Sequence, residues 1–311
     1  MRVRRVEQLN GQRPSAHDQQ HRARGLIIAA AVLVVALLGG AGLLWSLVAH
    51  ASGSAAPSDD SDTPTLLDAD APAEPELPAN DERAAELAYD PDRQTDWSYQ
   101  SNGQKVVYLT FDDGPSENTE KVLDILDQYG INATFFVTGN DPDYRGSIRD
   151  AYERGNTIGM HTMTHDYKTV YASEDAYFSD LDQVAQVVKD EIGYVPYLVR
   201  FPGGSSNTVS ANYSPGLMTT LSEDVPARGY QYYDWNVSSG DAAGNNVAVD
   251  TIVNSSCVEG YTNIMLLCHD SNTKATTAEA LPRIIQYYLD NGYTFAPIDR
   301  SSFVVHHKVG N

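Results

Sequence analysis

Cysteine and positive charge are both scarce in this chain. Only Cys257 and Cys268 occur in 311 residues, which excludes a disulfide framework and a cysteine-rich zinc site. Against 42 acids stand 21 lysines and arginines, for a formal net charge of -21. A body this acidic repels phosphate backbones, so nucleic acid is excluded as a partner. No internal repeat is present.

Charge is missing altogether between Gly25 and Ala49, where the chain reads GLIIAAAVLVVALLGGAGLLWSLVA. Roughly 20 apolar residues cross a bilayer core as a helix, so this run is long enough to span. It also exceeds a signal-peptide core of about 7–15 residues, although Ala49-His50-Ala51 keeps a cleaved leader open. Six arginines precede the run against Glu7 and Asp18, which places the N-terminus in the cytoplasm and the bulk outside. The expected organisation is a basic cytoplasmic tail at 1–24, a transmembrane anchor at 25–49, a linker at 50–103 and a folded domain at 104–311. The linker is rich in Ala, Ser, Pro, Asp and Glu. It cannot bury enough surface to offset its ordering entropy and is expected to be a disordered acidic tether. Its root-mean-square span as a flexible coil is about 35–40 Å.

From Gln104 the pattern changes to short apolar runs alternating with amphipathic stretches. The runs predict strands at Lys105–Phe111, Ala133–Val137, Thr157–His161, Tyr197–Phe201, Tyr230–Trp235, Asn263–His269 and Tyr293–Pro297. Val122, Ile125, Leu126 and Tyr129 recur at helical spacing, as do Phe178, Leu181, Ala185, Val188 and Ile192. Ser116 and Ser173 are expected N-caps, and Gly130, Gly193 and Gly292 expected stops. Leu281, Ile284, Ile285 and Tyr288 form a third stripe, and Pro282 within it implies that the helix starts late or kinks there. Strands alternating with helices in this way predict a parallel α/β sheet, open or closed into a barrel.

Five polar clusters fall at the C-terminal ends of these strands, where reacting groups converge in parallel α/β folds. Asp112-Asp113 ends one strand, and alone it would read as a solvated turn. His161-Thr-Met-Thr-His165 puts two imidazoles four residues apart; in a helical turn they would share one face. With a carboxylate from another strand they make a two-His, one-Asp divalent-metal site, and such an ion acidifies water and polarises a carbonyl. Arg200 precedes Pro202-Gly203-Gly204 and could orient a carboxylate as general base, with glycine amides left for a developing oxyanion. His269 ends a buried run and is placed as a general acid. Asp234-Trp235 completes the set.

In their order, the motifs TFDDGPS, HTMTH, RFPGG, DW and LLCHD resemble the polysaccharide deacetylases of carbohydrate esterase family four, the NodB homology domain. The resemblance runs from about Lys105 to Arg300. It implies a distorted (β/α)7 barrel, here preceded by a transmembrane helix and a disordered tether. It implies Asp112 as general base, His269 as general acid, and Asp113, His161 and His165 as ligands of a divalent metal. Zinc is the default ion, with cobalt, nickel or manganese also accepted by such donors. Arg200 would orient the base, Asp234 would tune His269, Gly203 would lend its amide to the oxyanion, and Trp235 and Leu266 would line the acetyl pocket. Two positions depart from the family pattern. Gly203 stands where an aromatic often follows the proline, so one groove wall is lost or comes from elsewhere. Gln231 stands where an acid often precedes Asp234 by three residues.

The expected activity is removal of N-acetyl groups from a cell-wall glycan, peptidoglycan first. Another acetylated polymer, or an inactive carbohydrate-binding module on a membrane stalk, are the alternatives. Cys257, near the end of a helix, and Cys268, near the end of a strand, should lie at opposite ends of their layer, beyond the roughly 7 Å disulfide reach.

Overall fold

The computed structural model describes residues 82–93, 101 and 103–311. The apolar run 25–49 and most of the expected tether lie outside the described residues. Among the described residues no helix is long and apolar enough to cross a membrane.

Eight strands form one sheet: β1 (Val106–Asp112), β2 (Thr134–Thr138), β3 (Thr157–Thr162), β4 (Leu198–Val199), β5 (Gln231–Tyr232), β6 (Val237–Ser238), β7 (Asn263–His269) and β8 (Thr294–Phe295). Their order is β5-β4-β3-β2-β1-β7-β6, with β8 on β1, and every pairing is parallel. β1 is buried along its whole length, as a strand covered on both faces must be. The two end strands, β5 and β6, are joined by only residues 233–236, so the chain itself curls the sheet into a half-barrel. This architecture is consistent with the expected distorted (β/α)7 barrel.

Alternation along β1 separates two cores. Val107, Leu109 and Phe111 face the helices, while Val106 and Tyr108 face the lumen with Phe136, Tyr197, Met265 and Ile298. Fully burying one such side chain stabilises the fold by roughly 1.5–3 kcal/mol.

The helices are α1 (Glu82–Leu87), α2 (Glu117–Tyr129), α3 (Gly146–Glu153), α4 (Tyr167–Val170), α5 (Glu174–Ile192), α6 (Leu217–Ala227), α7 (Val249–Ser256) and α8 (Ala275–Asp290). Ser116 caps α2 in a reciprocal capping box with Thr119, and Ser173 caps α5 through the amide of Ala176. Gly130 and Gly193 end those helices in the left-handed region, as expected.

Several expectations need correction. α8 does not start late: it begins at Ala275 and carries Pro282 in its interior. Burial of Ala278, Leu281, Ile284, Ile285 and Tyr288 outweighs the local loss of about 3 kcal/mol from the proline. β4, β5 and β8 are two-residue ladders rather than strands of five or six, and β6 was not expected at all. Part of the tether is folded as well. Leu87 is buried among the lumen side chains, its carbonyl accepts from the amide of Tyr197, and Tyr89 stacks on Tyr230 at 4.2 Å. Residues 82–93 therefore belong to the domain and pack where the strands begin. The reacting groups sit at the opposite end.

Candidate active site

The inward parity of β1 continues from Val106 and Tyr108 through Thr110 to Asp112, so the lumen turns polar toward its mouth. There a fully buried Arg200 joins four groups. One terminal nitrogen donates to Thr110 Oγ1 at 2.7 Å and to Asp112 Oδ1 at 2.8 Å. Nε donates to the carbonyl of Tyr233 at 2.9 Å, and the other nitrogen to that of Asp234 at 3.2 Å. The guanidinium also lies 4.1 Å from the Phe136 ring centroid. Every contact fixes the plane of the fork, and the fork fixes Asp112.

Asp113 leaves the strand in the left-handed region, with φ 72°, which aims its carboxylate away from that of its neighbour. The following Gly114 admits no side chain, because a Cβ there would lie 2.3 Å from the carboxylate of Asp270. Asp270 is a structural group. It accepts from Thr119 Oγ1, its carbonyl accepts from Ser116 Oγ, and burial raises its carboxyl to about 7.

His161 lies one residue before the end of β3, and its Nδ1 donates to the carbonyl of Arg200 at 2.6 Å. That bond turns Nε2 toward Asp113 Oδ1, 3.4 Å away. His165 is not on a helix, contrary to the condition under which the two rings were expected to share a face. It follows a turn held by buried Asp180 of α5, which accepts from the Met163 amide and from Thr164 Oγ1. At φ 51° the turn brings His165 Nε2 to 3.2 Å from the same oxygen. Backbone in this region costs of order 1–3 kcal/mol for a residue other than glycine, and two of the three such residues among the described residues are Asp113 and His165.

One donor atom from each of Asp113, His161 and His165 lies within 4.8 Å of the others, and Asp113 Oδ1 is buried without a hydrogen-bond partner. Two imidazole nitrogens converging on an unpartnered carboxylate oxygen fit a divalent cation of the borderline kind that takes N and O donors. The electrostatics point the same way. Burial opposes ionisation of Asp113, but the neighbouring His161, His165 and His269 outweigh it and hold the carboxyl well below its usual range. Burial disfavours charge on His161, yet Asp113 and Asp112 raise it, while burial and His161 lower His165.

His269 stands level with Asp112, its register partner on the adjacent strand. Its Nδ1 lies 2.8 Å from Asp241 Oδ1, and its amide donates to the other oxygen at 2.8 Å. Burial lowers the imidazole, but Asp241 and then Asp113 raise it to about 9. Thr277 Oγ1 donates to Asp241 at 2.9 Å, and Lys274 Nζ donates to its carbonyl at 2.8 Å.

Two assignments are thereby corrected. Asp234 does not tune His269, since its carboxylate accepts from the Ser205 amide, Ser205 Oγ and the His307 amide. The tuning position is Asp241, which the sequence hides in a Ser-Ser-Gly-Asp turn. Leu266 does not line the pocket, because it faces the outer core with Cys268, while Leu267 faces the cavity. Gly203 and Trp235 do line it, in a cavity of about 280 Å³ together with Asp112, Asp113, His161, His165 and His269. Both cysteines are free, as expected.

A water at this mouth would have a proton acceptor in Asp112 and, level with it on the adjacent strand, a proton donor in His269. That is the layout of a hydrolase. Known proteins define the class further. The family model for polysaccharide deacetylase matches residues 99–217, and His269, with Asp241 behind it, reaches the same cavity from beyond that stretch. A peptidoglycan-N-acetylglucosamine deacetylase of Bacillus cereus is 31% identical over 198 residues, spanning 62% of this chain and 68% of its own. Among solved structures, the catalytic domain of a peptidoglycan N-acetylglucosamine deacetylase from Eubacterium rectale superposes with a TM-score of 0.67. It is 45% identical and covers 71% of this chain and 100% of that one. A polysaccharide deacetylase of Bacillus cereus gives 0.54 at 29% identity, over 63% and 92% of the two chains. The chain belongs to the polysaccharide deacetylase family and is a hydrolase of N-acetyl amide bonds.

Proposed function

We propose that this enzyme removes N-acetyl groups from N-acetylglucosamine residues of peptidoglycan, releasing acetate, at a zinc centre outside the cell membrane. One observation carries the chemistry: Asp113 meets two imidazoles at 3.4 and 3.2 Å, with Asp112 and His269 on either side. Two of the named relatives are peptidoglycan N-acetylglucosamine deacetylases, which supports that polymer here. The uncharged run 25–49 with its preceding arginines supports a single-pass anchor with the domain outside. The half-barrel is read as the distorted (β/α)7 barrel of the family.

A divalent cation held by Asp113, His161 and His165 would supply the charge that polarises the acetamide carbonyl and acidifies the attacking water. Asp112, held on one oxygen by Arg200, takes the proton of that water. The Gly203 amide donates to the oxygen that becomes negative, and Trp235 and Leu267 close the space around the methyl group. His269, protonated under the influence of Asp241, gives its proton to the departing sugar nitrogen. Acetate release by the full-length protein from peptidoglycan, chitin-like oligomers and acetyl xylan tests the reading. Peptidoglycan should be turned over fastest, and release from xylan alone would contradict the assignment.

A further inference from the structure

Tyr167 lines the cavity, yet the chemistry above leaves it unused. It opens the short helix α4, directly after the turn that carries His165. Its ring stands edge-on to His165 at 5.7 Å and to Tyr171 at 5.5 Å. Tyr171 is buried and donates its hydroxyl to the Pro202 carbonyl at 2.8 Å, which ties this helix to the Pro202-Gly203-Gly204 loop.

The diglycine explains what the aromatic rings are doing. A Cβ on Gly203 would lie 2.6 Å from the Tyr167 hydroxyl oxygen and 3.6 Å from the ring carbon that bears it. A Cβ on Gly204 would lie 3.0 Å from the Trp235 ring. The loop therefore carries no side chains, and two rings from other parts of the chain occupy the space on its two sides. Both glycines are also held in the left-handed region, at φ 74° and 75°. The Tyr167 hydroxyl makes no hydrogen bond among the described residues, so it is a donor with its partner still to come.

We propose that Tyr167 is a substrate-binding residue: its ring forms the groove wall that Gly203 leaves bare, and its hydroxyl hydrogen-bonds the sugar ring bearing the acetamide. Tyr167 and Gly203 then act as a matched pair, because a side chain at 203 and a hydroxyl at 167 compete for one space. The pair sets which glycan enters. This rests on the deacetylase reading and deepens it. A sugar contact differs from an oxyanion contact in a measurable way, since a small aryl acetate ester keeps the acetyl group and lacks the sugar.

The experiment compares the full-length parent with Tyr167→Phe, Gly203→Ala and the double variant. The substrates are the β-1,4-linked tetramer of N-acetylglucosamine and an aryl acetate. Tyr167→Phe should raise KM for the tetramer roughly 3- to 10-fold, the loss of one hydrogen bond, and affect the ester less. Gly203→Ala should lose more activity in the parent than in the Tyr167→Phe background, where the 2.6 Å approach is gone. Equal losses on tetramer and ester would move the hydroxyl to the acetyl oxygen and overturn the proposal, as would an unchanged KM or strictly additive variants. A parent that releases no acetate from any acetylated glycan would instead sink the deacetylase reading.

Discussion

The two reactive groups flanking the triad are held by opposite means. On the base side, Asp112 is fixed by an arginine that fills the lumen and touches strand, ring and backbone at once. On the acid side, His269 is fixed by a carboxylate on a short turn, braced by Lys274 and Thr277 from the next element. A guanidinium carries its charge at any pH an enzyme meets, so the base clamp is a matter of packing. The acid clamp is a titrating pair, and the pH response should reside there. One side fails by unfolding and the other by mistuning.

Breaking the base clamp should give the larger effect. Arg200→Met leaves Asp112 buried without its partner, and destabilisation of about 3–5 kcal/mol is expected from such a loss. Denaturant unfolding of the variant against the parent measures it, and a midpoint shift equivalent to less than about 1 kcal/mol would show that the clamp is not structural.

Asp241→Asn sharpens the other side. The raised His269 is protonated, and so able to act as acid, below about 9, and it loses that proton as pH rises through this value. Without the Asp241 carboxylate, burial dominates, so the alkaline limb of kcat against pH should move to lower pH. A bound cation would lower both limbs alike and leave their order unchanged. An unmoved limb would detach Asp241 from the acid. The smallest effect is expected from Thr277→Val, which removes one of the hydrogen bonds to Asp241. The limb should shift by less than in Asp241→Asn, with stability changed by about 0.5–1.5 kcal/mol.

The sequence made this contrast half visible. Asp112, Asp113, His161, Arg200 and His269 fall at the ends of conspicuous apolar runs, with His165 four residues past one of them, and strand ends in a parallel fold face one mouth. Asp241 follows no such run. It sits beyond a two-residue strand in a polar turn, and only tertiary structure brings it to His269. The choice between Leu266 and Leu267 was illegible for another reason. β7 is buried on both faces, so its residues show no alternation to assign a side, and a one-residue error reverses it. Residues 82–93 look like tether because their composition is polar, while Leu87 and Tyr89 supply the apolar docking and backbone carbonyls bond Arg300. Pro282 did not delay the start of α8, because the burial that holds this helix is not local.

The central claim is the division of labour between two adjacent, chemically identical acids, and metal content measured alongside acetate release tests it most directly. Asp112→Asn should keep its metal while turnover falls by about 10²–10⁴, as for other general bases. Asp113→Asn should lose both metal and turnover, with partial rescue by excess metal. An Asp112→Asn protein that loses its metal while Asp113→Asn retains it would reverse the assignment, and parental rates in both would contradict the account.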